Sequence, residues 1–373
     1  MSERLKASVR ESDTVARFGG DEFVILIEGL DISEERAKIS INEITDKIIK
    51  IINEPYKLDG HDFRTSCSIG ICLFIAKELS AAEIIQRADI AMFQVKQSGR
   101  NNASYYDETS HPLLEKRARL GSDLRGAVFN EDIVPFYQVQ VKDGNKLIGV
   151  ELLLRWNHPS HGTLMPEEFI PIAEDSNLIN SIGINVIEHA CQQLKTWEKN
   201  SLTQDLRIAV NISARQFNQP EFLSQIETIL NEINCRPDLL CFELTENVML
   251  EDINDIIEKM QQLKKMGVYL SLDDFGTGYS SLSILRKFPL DEIKIDRSFA
   301  ENILNNQHDA ELIQTIINMS HNLSIDVIAE GIETKEQETF LVNAGCHFFQ
   351  GYLYGEPIEM TKFESHIDSM HYY

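Results

Sequence analysis

Several short apolar segments of this chain lead directly into polar residues that can bind cations or move protons. Five of these residues are carboxylates, and the others are an amide, a lysine and a glutamine. The set is Glu151, Asn211, Glu243, Asp273, Asp274, Lys294, Glu330 and Gln350. Carboxylates that meet in space repel one another unless a cation neutralises them. A set of oxygen ligands with one amide favours a hard cation, Mg²⁺ or Mn²⁺, over zinc.

The adjacent Asp273 and Asp274 extend this hypothesis to two cations, because one aspartate can be shared between neighbouring ions. Two metal ions about 3.5–4 Å apart are the usual arrangement for in-line phosphodiester hydrolysis. A lone acidic residue after a strand more often caps the next helix. So many polar residues at successive strand ends are hard to explain by capping alone, and we therefore favour a catalytic site.

A segment rich in small residues follows the two aspartates, from Phe275 to Leu282, and contains Gly276 and Gly278. One interpretation is a mobile loop that becomes ordered when metal and substrate bind. The other is an ordinary β–α turn in which glycines supply positive φ angles. The position directly after two acidic residues favours the first interpretation.

Residues from about 132 onward alternate between β-prone runs and amphipathic helical stretches, which predicts an α/β fold with a parallel sheet. The predicted strands are Ile133–Val141, Gly149–Leu154, Leu206–Val210, Leu239–Phe242, Val268–Leu272, Glu292–Ile295, Asp326–Ala329 and Cys346–Phe349. This number of strands over about 240 residues fits a closed TIM-like (β/α) barrel. The carboxyl ends of barrel strands converge on one face, which is where the polar residues would meet.

The first part of the chain has a different pattern, with a hairpin over residues 13–28, helices near 33–53 and 80–97, and a second hairpin between them. We expect a partial α+β domain over residues 1–106, a connector over 107–118 and the barrel over 119–373. Gly19-Gly20 followed by Asp21-Glu22 is more often a hairpin turn than a phosphate site.

The composition restricts the class of partner. The chain has 373 residues and a formal net charge of −24, so it should repel a DNA or RNA backbone. An anionic substrate would require bound cations. The six cysteines form no CxxC pair, and no signal peptide or membrane-length apolar run is present. We expect a cytoplasmic protein whose chain makes no membrane contact.

Residues 1–105 resemble the C-terminal part of GGDEF diguanylate cyclase domains, and residues 115–373 resemble EAL phosphodiesterase domains over their whole length. The first resemblance rests on Gly19-Gly20-Asp21-Glu22-Phe23, Ser68-Ile69-Gly70 and Gly99-Arg100-Asn101. The second rests on Tyr137-Gln138, Leu153-Leu154-Arg155-Trp156, Val210-Asn211-Ile212-Ser213, Glu243-Leu244-Thr245-Glu246, Asp273-Asp274-Phe275-Gly276, Lys294-Ile295-Asp296-Arg297, Ala329-Glu330-Gly331 and Gln350-Gly351-Tyr352.

The second resemblance implies metal-dependent hydrolysis of cyclic di-GMP to linear pGpG in bacterial signalling, and a homodimer formed through the EAL domain. One metal would bind Glu151, Asn211, Glu243 and Asp273, and a second would bind Asp273, Asp274 and Glu330. Lys294 would orient or deprotonate the attacking water, with Glu330 as the alternative base. Arg155, Gln138 and Gln350 would contact the substrate. Glu246 would anchor the loop that contains Gly276 and Gly278, and Glu333 would support the site from behind.

The chain departs from the family patterns in the signature triplet, at Val139 where proline usually follows Tyr-Gln, and in the length of the GGDEF-like part. The signature Glu-Ala-Leu is replaced by Glu151-Leu152-Leu153, and we expect Leu152 to point into the packing. The GGDEF-like part lacks the first half of that domain, so we do not expect cyclase activity.

Arg10 and Asp13 resemble an inhibitory product-binding motif, although a solvated helix end is an equal alternative. A catalytically silent cyclic di-GMP receptor is the alternative to the enzyme.

Overall fold

The computed structural model describes residues 2–10, 12–19, 22–54, 56–58, 61–63, 65–74, 79–97, 101–107, 111–143, 146–246, 248, 253–276, 285–304 and 306–370. The chain forms two compact units, Met1–Arg119 and Leu120–Tyr373. Gly278, Gly20 and Asp21 lie outside the described residues.

The first unit contains short sheets and helices. Its elements are α1 (Ser2–Ser8), β1 (Thr14–Gly19), β2 (Glu22–Leu26), α2 (Glu34–Asn53), β3 (Tyr56–Leu58), β4 (His61–Phe63), β5 (Ile69–Ile71), α3 (Ala81–Gln97) and β6 (Ala103–Tyr105). The predicted hairpin over residues 13–28 is confirmed as the antiparallel pair β1–β2. Leu5 of α1 packs against Ile48 and Ile52 of α2 in a small core.

The second unit contains the longer sheet. Helix α4 (His111–Phe129) leads into it, so the predicted connector is helical from His111 onward. The elements that follow are β7 (Ile133–Lys142), β8 (Lys146–His158), β9 (Gly162–Leu164), α5 (Pro166–Asp175), α6 (Leu178–Trp197), β10 (Arg207–Ile212), α7 (Ala214–Phe217), α8 (Phe222–Ile233), β11 (Leu240–Thr245), α9 (Ile253–Met266), β12 (Tyr269–Phe275), β13 (Glu292–Ile295), α10 (Arg297–Asn302), α11 (Gln307–Leu323), β14 (Asp326–Ala329), α12 (Lys335–Ala344), β15 (Phe348–Gln350), β16 (Ile358–Glu359) and α13 (Met360–Met370).

Eight strands of the described chain close into a barrel, in the order β7, β15, β14, β13, β12, β11, β10, β8 and back to β7. The predicted TIM-like barrel is thus confirmed. The prediction of an entirely parallel sheet is wrong for β7, which runs antiparallel to both β8 and β15. The reason is the short connection between β7 and β8, because parallel neighbours require a crossover of a dozen or more residues.

The barrel is held by apolar side chains on the outer faces of the strands and the inner faces of the helices. On α9, Ile256, Met260 and Leu263 are fully buried at helical spacing and join the same core as Ile293 and Ile295 of β13. Burial of apolar surface is the main favourable term in this packing. Polar side chains on alternate strand positions are therefore directed into the barrel interior.

Two further observations concern the cysteines and the helices. The six cysteines are free thiols. Among the residues that the structure describes, no helix has the length and apolar character needed to cross a membrane.

Candidate active site

Neighbouring strands bring the polar residues of the sequence pattern side by side. Asn211 of β10 lies opposite Glu243 of β11 in the strand register, and Thr245 lies opposite Asp273 of β12. Glu151 lies within β8, which spans Lys146–His158 and is therefore longer at both ends than the predicted strand Gly149–Leu154. Its side chain faces the interior, where it contacts Asn211 of β10 and Lys294 of β13.

The ammonium group of Lys294 lies at the centre of the acidic cluster. Its Nζ atom is 2.6 Å from Glu330 Oε1, 3.0 Å from Glu243 Oε2, 3.2 Å from Glu151 Oε2 and 3.5 Å from Asp273 Oδ1. These carboxylates come from four different strands or strand ends, and the lysine is 1% exposed. The structure therefore gathers four of the five predicted carboxylates around the ammonium group of Lys294.

The electrostatics of the cluster follow from this geometry. Burial alone would lower the pKa of Lys294, but the surrounding carboxylates raise it well above its usual value. Burial and the neighbouring acids raise the pKa of Glu243, of Asp273 and, to about 8, of Glu330. The cluster thus contains more negative charge than one ammonium group neutralises, and a further cation would be favourable there.

Glu151 differs from the other carboxylates because both of its oxygens accept hydrogen bonds. Asn211 Nδ2 donates to Oε1 at 2.6 Å, while Lys294 and Gln350 donate to Oε2. Burial would raise the pKa of Glu151, but Lys294 and these amide donors lower it below the usual value. Glu151 is therefore held as a carboxylate in a fixed orientation.

The backbone has positive φ angles near the end of β12 and directly after it. Asp274 has a positive φ of 54°, and burial and Asp273 raise the pKa of its carboxyl group to about 6. Gly276 has a φ of 104°, a conformation that favours glycine. Its backbone N–H donates to Glu246 Oε1 at 3.4 Å, which places Glu246 where an anchor of this loop was predicted.

The glutamines predicted to contact substrate are engaged within the protein. Gln350 Nε2 donates to Glu151 and to Gln138 Oε1, and Gln138 Nε2 donates to the Gly355 carbonyl. Gln140 Nε2 donates to Gln350 Oε1, which adds a residue that the sequence interpretation missed. The available signal was the alternation on β7, where Gln138 and Gln140 interrupt apolar residues at every second position.

Other predicted site residues lie farther from the cluster centre. Arg155 is on the same face of β8 as Glu151, four residues along, and its guanidinium lies 5.6 Å from the Phe136 ring centroid. The side chain of Glu333 is exposed, and its backbone N–H donates to Gln337. In the first unit, Asp13 accepts a hydrogen bond from the backbone N–H of Arg10, so its carboxylate stabilises a local turn.

The departure at the signature triplet is accommodated by packing. Leu152 is 2% exposed and belongs to the main apolar core, as expected for a side chain directed away from Glu151. The larger residue at this position therefore contacts the outer packing of the barrel and leaves the interior face to the carboxylate.

The donor set fits divalent cations, although no ready-made metal cage is formed. Within the described residues, no three His, Cys, Asp or Glu side chains are already arranged as a metal site, and the Lys294 ammonium lies among the carboxylates of the cluster. Glu243 is 1% exposed, and its Oε1 accepts no hydrogen bond from any described residue. A buried carboxylate oxygen without a donor is costly unless a cation binds it.

The family models match most of the chain. The model described as "EAL domain" matches residues 122–357, and the model described as "Diguanylate cyclase, GGDEF domain" matches residues 1–102. The chain is similar to the bifunctional diguanylate cyclase/cyclic di-GMP phosphodiesterase MucR of Pseudomonas aeruginosa, with 38% identity over 96% of this chain and 51% of MucR. It is 33% identical to the cyclic di-GMP phosphodiesterase PdeR of Escherichia coli, over 96% of this chain and 53% of PdeR. The chain thus spans about half the length of these curated relatives.

Solved structures are similar over about two thirds of the chain or more. A structure titled "PaMucR Phosphodiesterase, c-di-GMP complex" is 39% identical, with a TM-score of 0.64, and the match covers 66% of this chain and 99% of that one. The EAL enzyme Bd1971, in a form bound to cAMP and cyclic di-GMP, is 31% identical, with a TM-score of 0.66 over 78% of this chain and 77% of that one.

Proposed function

The chain belongs to the EAL domain family, with part of a GGDEF domain before its EAL domain, and on this basis we propose that it is a metal-dependent phosphodiesterase that hydrolyses cyclic di-GMP. The observation that carries the proposal is the convergence of Glu151, Glu243, Asp273 and Glu330 on one point inside the barrel. The names of the similar proteins MucR and PdeR support the substrate.

The site residues have the chemistry to hold two Mg²⁺ or Mn²⁺ ions. We assign Glu151, Asn211, Glu243 and Asp273 to the first ion. Asp273, Asp274 and Glu330 are assigned to the second. When bound, the ions would neutralise the carboxylates and the phosphodiester and lower the pKa of the attacking water. The orphaned Oε1 of Glu243 is the feature of this structure that most favours a bound cation.

The chain's own groups account for the proton transfers. Glu330 accepts a proton from the attacking water, and Lys294, which lies 2.6 Å from Glu330, orients that water and stabilises the resulting charge. The water oxygen forms a bond to phosphorus while the bond to the 3′-oxygen breaks. That oxygen takes up the proton that Glu330 accepted from the water, and the linear product pGpG results. Lys294 as the base and Glu330 as its partner is the alternative assignment.

Of the three residues predicted to contact the substrate, we assign this role to Arg155 alone. Arg155 lies on the Glu151 face of β8 and is the proposed contact for the dinucleotide. Gln138 and Gln350 are buried and hydrogen-bonded inside the protein, so contact with substrate would require them to exchange partners.

The experiment incubates the full chain with cyclic di-GMP, with and without Mn²⁺, and separates the products by chromatography. We expect pGpG only with the metal, and no product after chelation. Glu151→Ala should abolish turnover, because it removes a carboxylate assigned to the first ion. Hydrolysis by Glu151→Ala at the wild-type rate would contradict the ligand assignment.

The same preparation also tests the receptor alternative and the oligomeric state. Binding of cyclic di-GMP without turnover in Mn²⁺ or Mg²⁺ would favour the alternative of a silent receptor. A homodimer formed through the EAL domain stays a prediction. Size-exclusion chromatography coupled to light scattering would measure the molecular mass of the particle.

A further inference from the structure

Strand β7 directs two glutamines into the barrel at the level of the acidic cluster. Gln140 lies directly opposite Gln350 of β15 in the antiparallel register, and Gln138 lies directly opposite Glu151 of β8. The alternate residues Tyr137, Val139 and Val141 are buried in the outer core. Gln138, Gln140 and Gln350 are each at most 7% exposed, so their amides must be satisfied within the protein.

The direction of the hydrogen bonds in this amide network is set at one end by the Gly355 carbonyl, which can only accept. The Gly355 carbonyl accepts from Gln138 Nε2 at 3.1 Å, so Gln138 turns its Oε1 towards Gln350. The Glu151 carboxylate is also an acceptor. Both N–H groups of Gln350 are therefore required on the side of Gln138 and Glu151, and its Oε1 must face the opposite way.

Gln140 supplies the donor on that opposite side. Its Nε2 lies 3.0 Å from Gln350 Oε1. A rotated Gln350 amide would bring its oxygen against Gln138 Oε1 and Glu151 Oε2, with no proton between them. Without a donor at position 140, the observed orientation would instead leave a buried oxygen unsatisfied. Only the combination of Gly355, Gln138 and Gln140 satisfies Gln350 at both ends.

We propose that Gln140 is a positioning residue of the active site, which fixes the amide of Gln350 and through it the carboxylate of Glu151. This inference rests on the proposed function, because it matters to catalysis only where Glu151 holds a metal ion. Partners that orient metal ligands typically contribute 10–100-fold in metal affinity or activity. In the described part of the chain, the Gln140 side chain donates to Gln350 and forms no hydrogen bond with Lys294 or the acids around it. Gln140 therefore acts on the site through Gln350.

The test is a double-mutant cycle with Gln140→Met, Gln350→Met and the double variant. Methionine keeps the length of the side chain and removes the amide. We expect Gln140→Met to weaken Mn²⁺ binding, measured by titration calorimetry, by about tenfold. It should lower kcat at limiting Mn²⁺ and leave KM for cyclic di-GMP unchanged. Because Gln140 acts through Gln350, the double variant should bind Mn²⁺ as weakly as Gln350→Met alone.

Val141→Ala is the matched control, because Val141 is buried on the opposite face of the same strand. It should lower the melting temperature without changing Mn²⁺ affinity. Equal losses of Mn²⁺ affinity in Val141→Ala and Gln140→Met would overturn the proposal, since they would reveal a general effect of destabilising β7. Losses that add in the double variant would overturn it as well.

A second measurement does not depend on metal or turnover. The side-chain amide resonances of Gln350, identified by their loss in Gln350→Met, should shift in metal-free Gln140→Met. If the wild-type chain neither binds Mn²⁺ nor hydrolyses cyclic di-GMP, the proposed function fails. The resonances still test, independently of that outcome, whether Gln140 fixes the orientation of Gln350. Unchanged Gln350 resonances in Gln140→Met would overturn the role of Gln140 in either case.

Discussion

Lys294 Nζ lies 2.6 Å from Glu330 Oε1, and the same ammonium group contacts three more carboxylates. One buried cation therefore neutralises part of a cluster whose members come from different strands. Removing one partner of a buried ion pair is strongly destabilising, because the remaining charge stays desolvated. This relationship couples the stability of the barrel to the chemistry proposed for its interior.

The variant Lys294→Met tests that coupling. We expect the metal-free chain to lose about 3–5 kcal/mol of unfolding free energy, and added Mn²⁺ to restore a large part of it. Turnover should fall by about 10²–10⁴-fold, since a residue that assists proton transfer is absent. Urea unfolding with and without Mn²⁺, followed by tryptophan fluorescence, measures the first effect.

Lys335→Met is the control, because Lys335 forms a pair with Glu338 at 2.6 Å but is 68% exposed. An exposed pair of this kind contributes about 0–1 kcal/mol. Equal destabilisation in the two lysine variants, or a loss in Lys294→Met that Mn²⁺ does not reduce, would contradict the interpretation of Lys294 as the central cation.

Gly331 follows Glu330 directly and has a φ of 66°. A Cβ atom at this position would lie 2.5 Å from Arg297 Cβ, so Gly331→Ala must displace the backbone beside Glu330. We expect a loss of about 1–3 kcal/mol from the strained conformation. Activity should fall by up to about 10²-fold, because small displacements of reacting groups are costly. Thermal unfolding and initial rates measure both.

Gly126→Ala in α4 is the matched substitution, since a Cβ atom there meets nothing within 4 Å. An alanine inside a helix should stabilise by up to about 1 kcal/mol and leave the rate unchanged. Wild-type activity in Gly331→Ala would show that the position of Glu330 tolerates displacement and would argue against its role as a base.

Glu246 provides the next prediction, because its Oε1 accepts from the backbone N–H of Gly276. We expect Glu246→Ala to lower kcat/KM about tenfold, at the low end for residues that support a metal site. Glu246→Gln keeps an acceptor oxygen and should retain most of the activity. Steady-state kinetics of both variants, with the exposed Glu227→Ala as a control, separate the hydrogen bond from the charge. Equal losses in the alanine and glutamine variants would exclude the hydrogen bond as the cause.

Most elements that position the site were predictable from periodicity. The predicted strands Glu292–Ile295 and Asp326–Ala329 and the helix Lys335–Ala344 match the structure at both ends. The apolar residues of the two strands are buried on both faces, and the helix begins at a Thr334–Gln337 capping box, which is a recognisable start signal. The strand direction of β7 was missed because hydrophobic alternation is the same for both directions. The Asp143-Gly144 dipeptide between β7 and β8 is a hairpin signal that could have revealed it.

The inner geometry of the site was less predictable. The sequence placed the acidic residues at one barrel face, but it did not place Lys294 between them. Gln350 was expected to face the substrate, whereas it donates to Glu151. Such partners depend on strand register, and the register is set by packing over the whole barrel. Gln140 was missed for the same reason, because its alternation with apolar residues on β7 indicates the face it lies on but not its hydrogen-bond partner.

Tyr137 and His189 provide a prediction for stability, away from the acidic cluster. Tyr137 OH lies 2.6 Å from His189 Nε2, and burial raises the pKa of the tyrosine, so the hydroxyl keeps a proton that it can donate to a neutral histidine. Burial also lowers the pKa of His189. A protonated His189 would lose this acceptor and would be partly desolvated.

The sign of the pH effect follows from the lowered pKa of His189. The unfolded chain binds this proton at about pH 6.5, whereas the folded chain binds it only at a lower pH, so the stability contribution is complete above pH 6.5. It is lost as the pH falls from 6.5 towards the folded pKa, by about 1.4 kcal/mol for each unit of pKa difference. Urea unfolding at pH 7.5 and 5.5 measures it through Trp156 and Trp197, which both lie in the second unit. His189→Gln keeps an acceptor but does not titrate, so the wild-type advantage over this variant should shrink at pH 5.5. A difference that stays constant between the two pH values would contradict the neutral, buried state of His189.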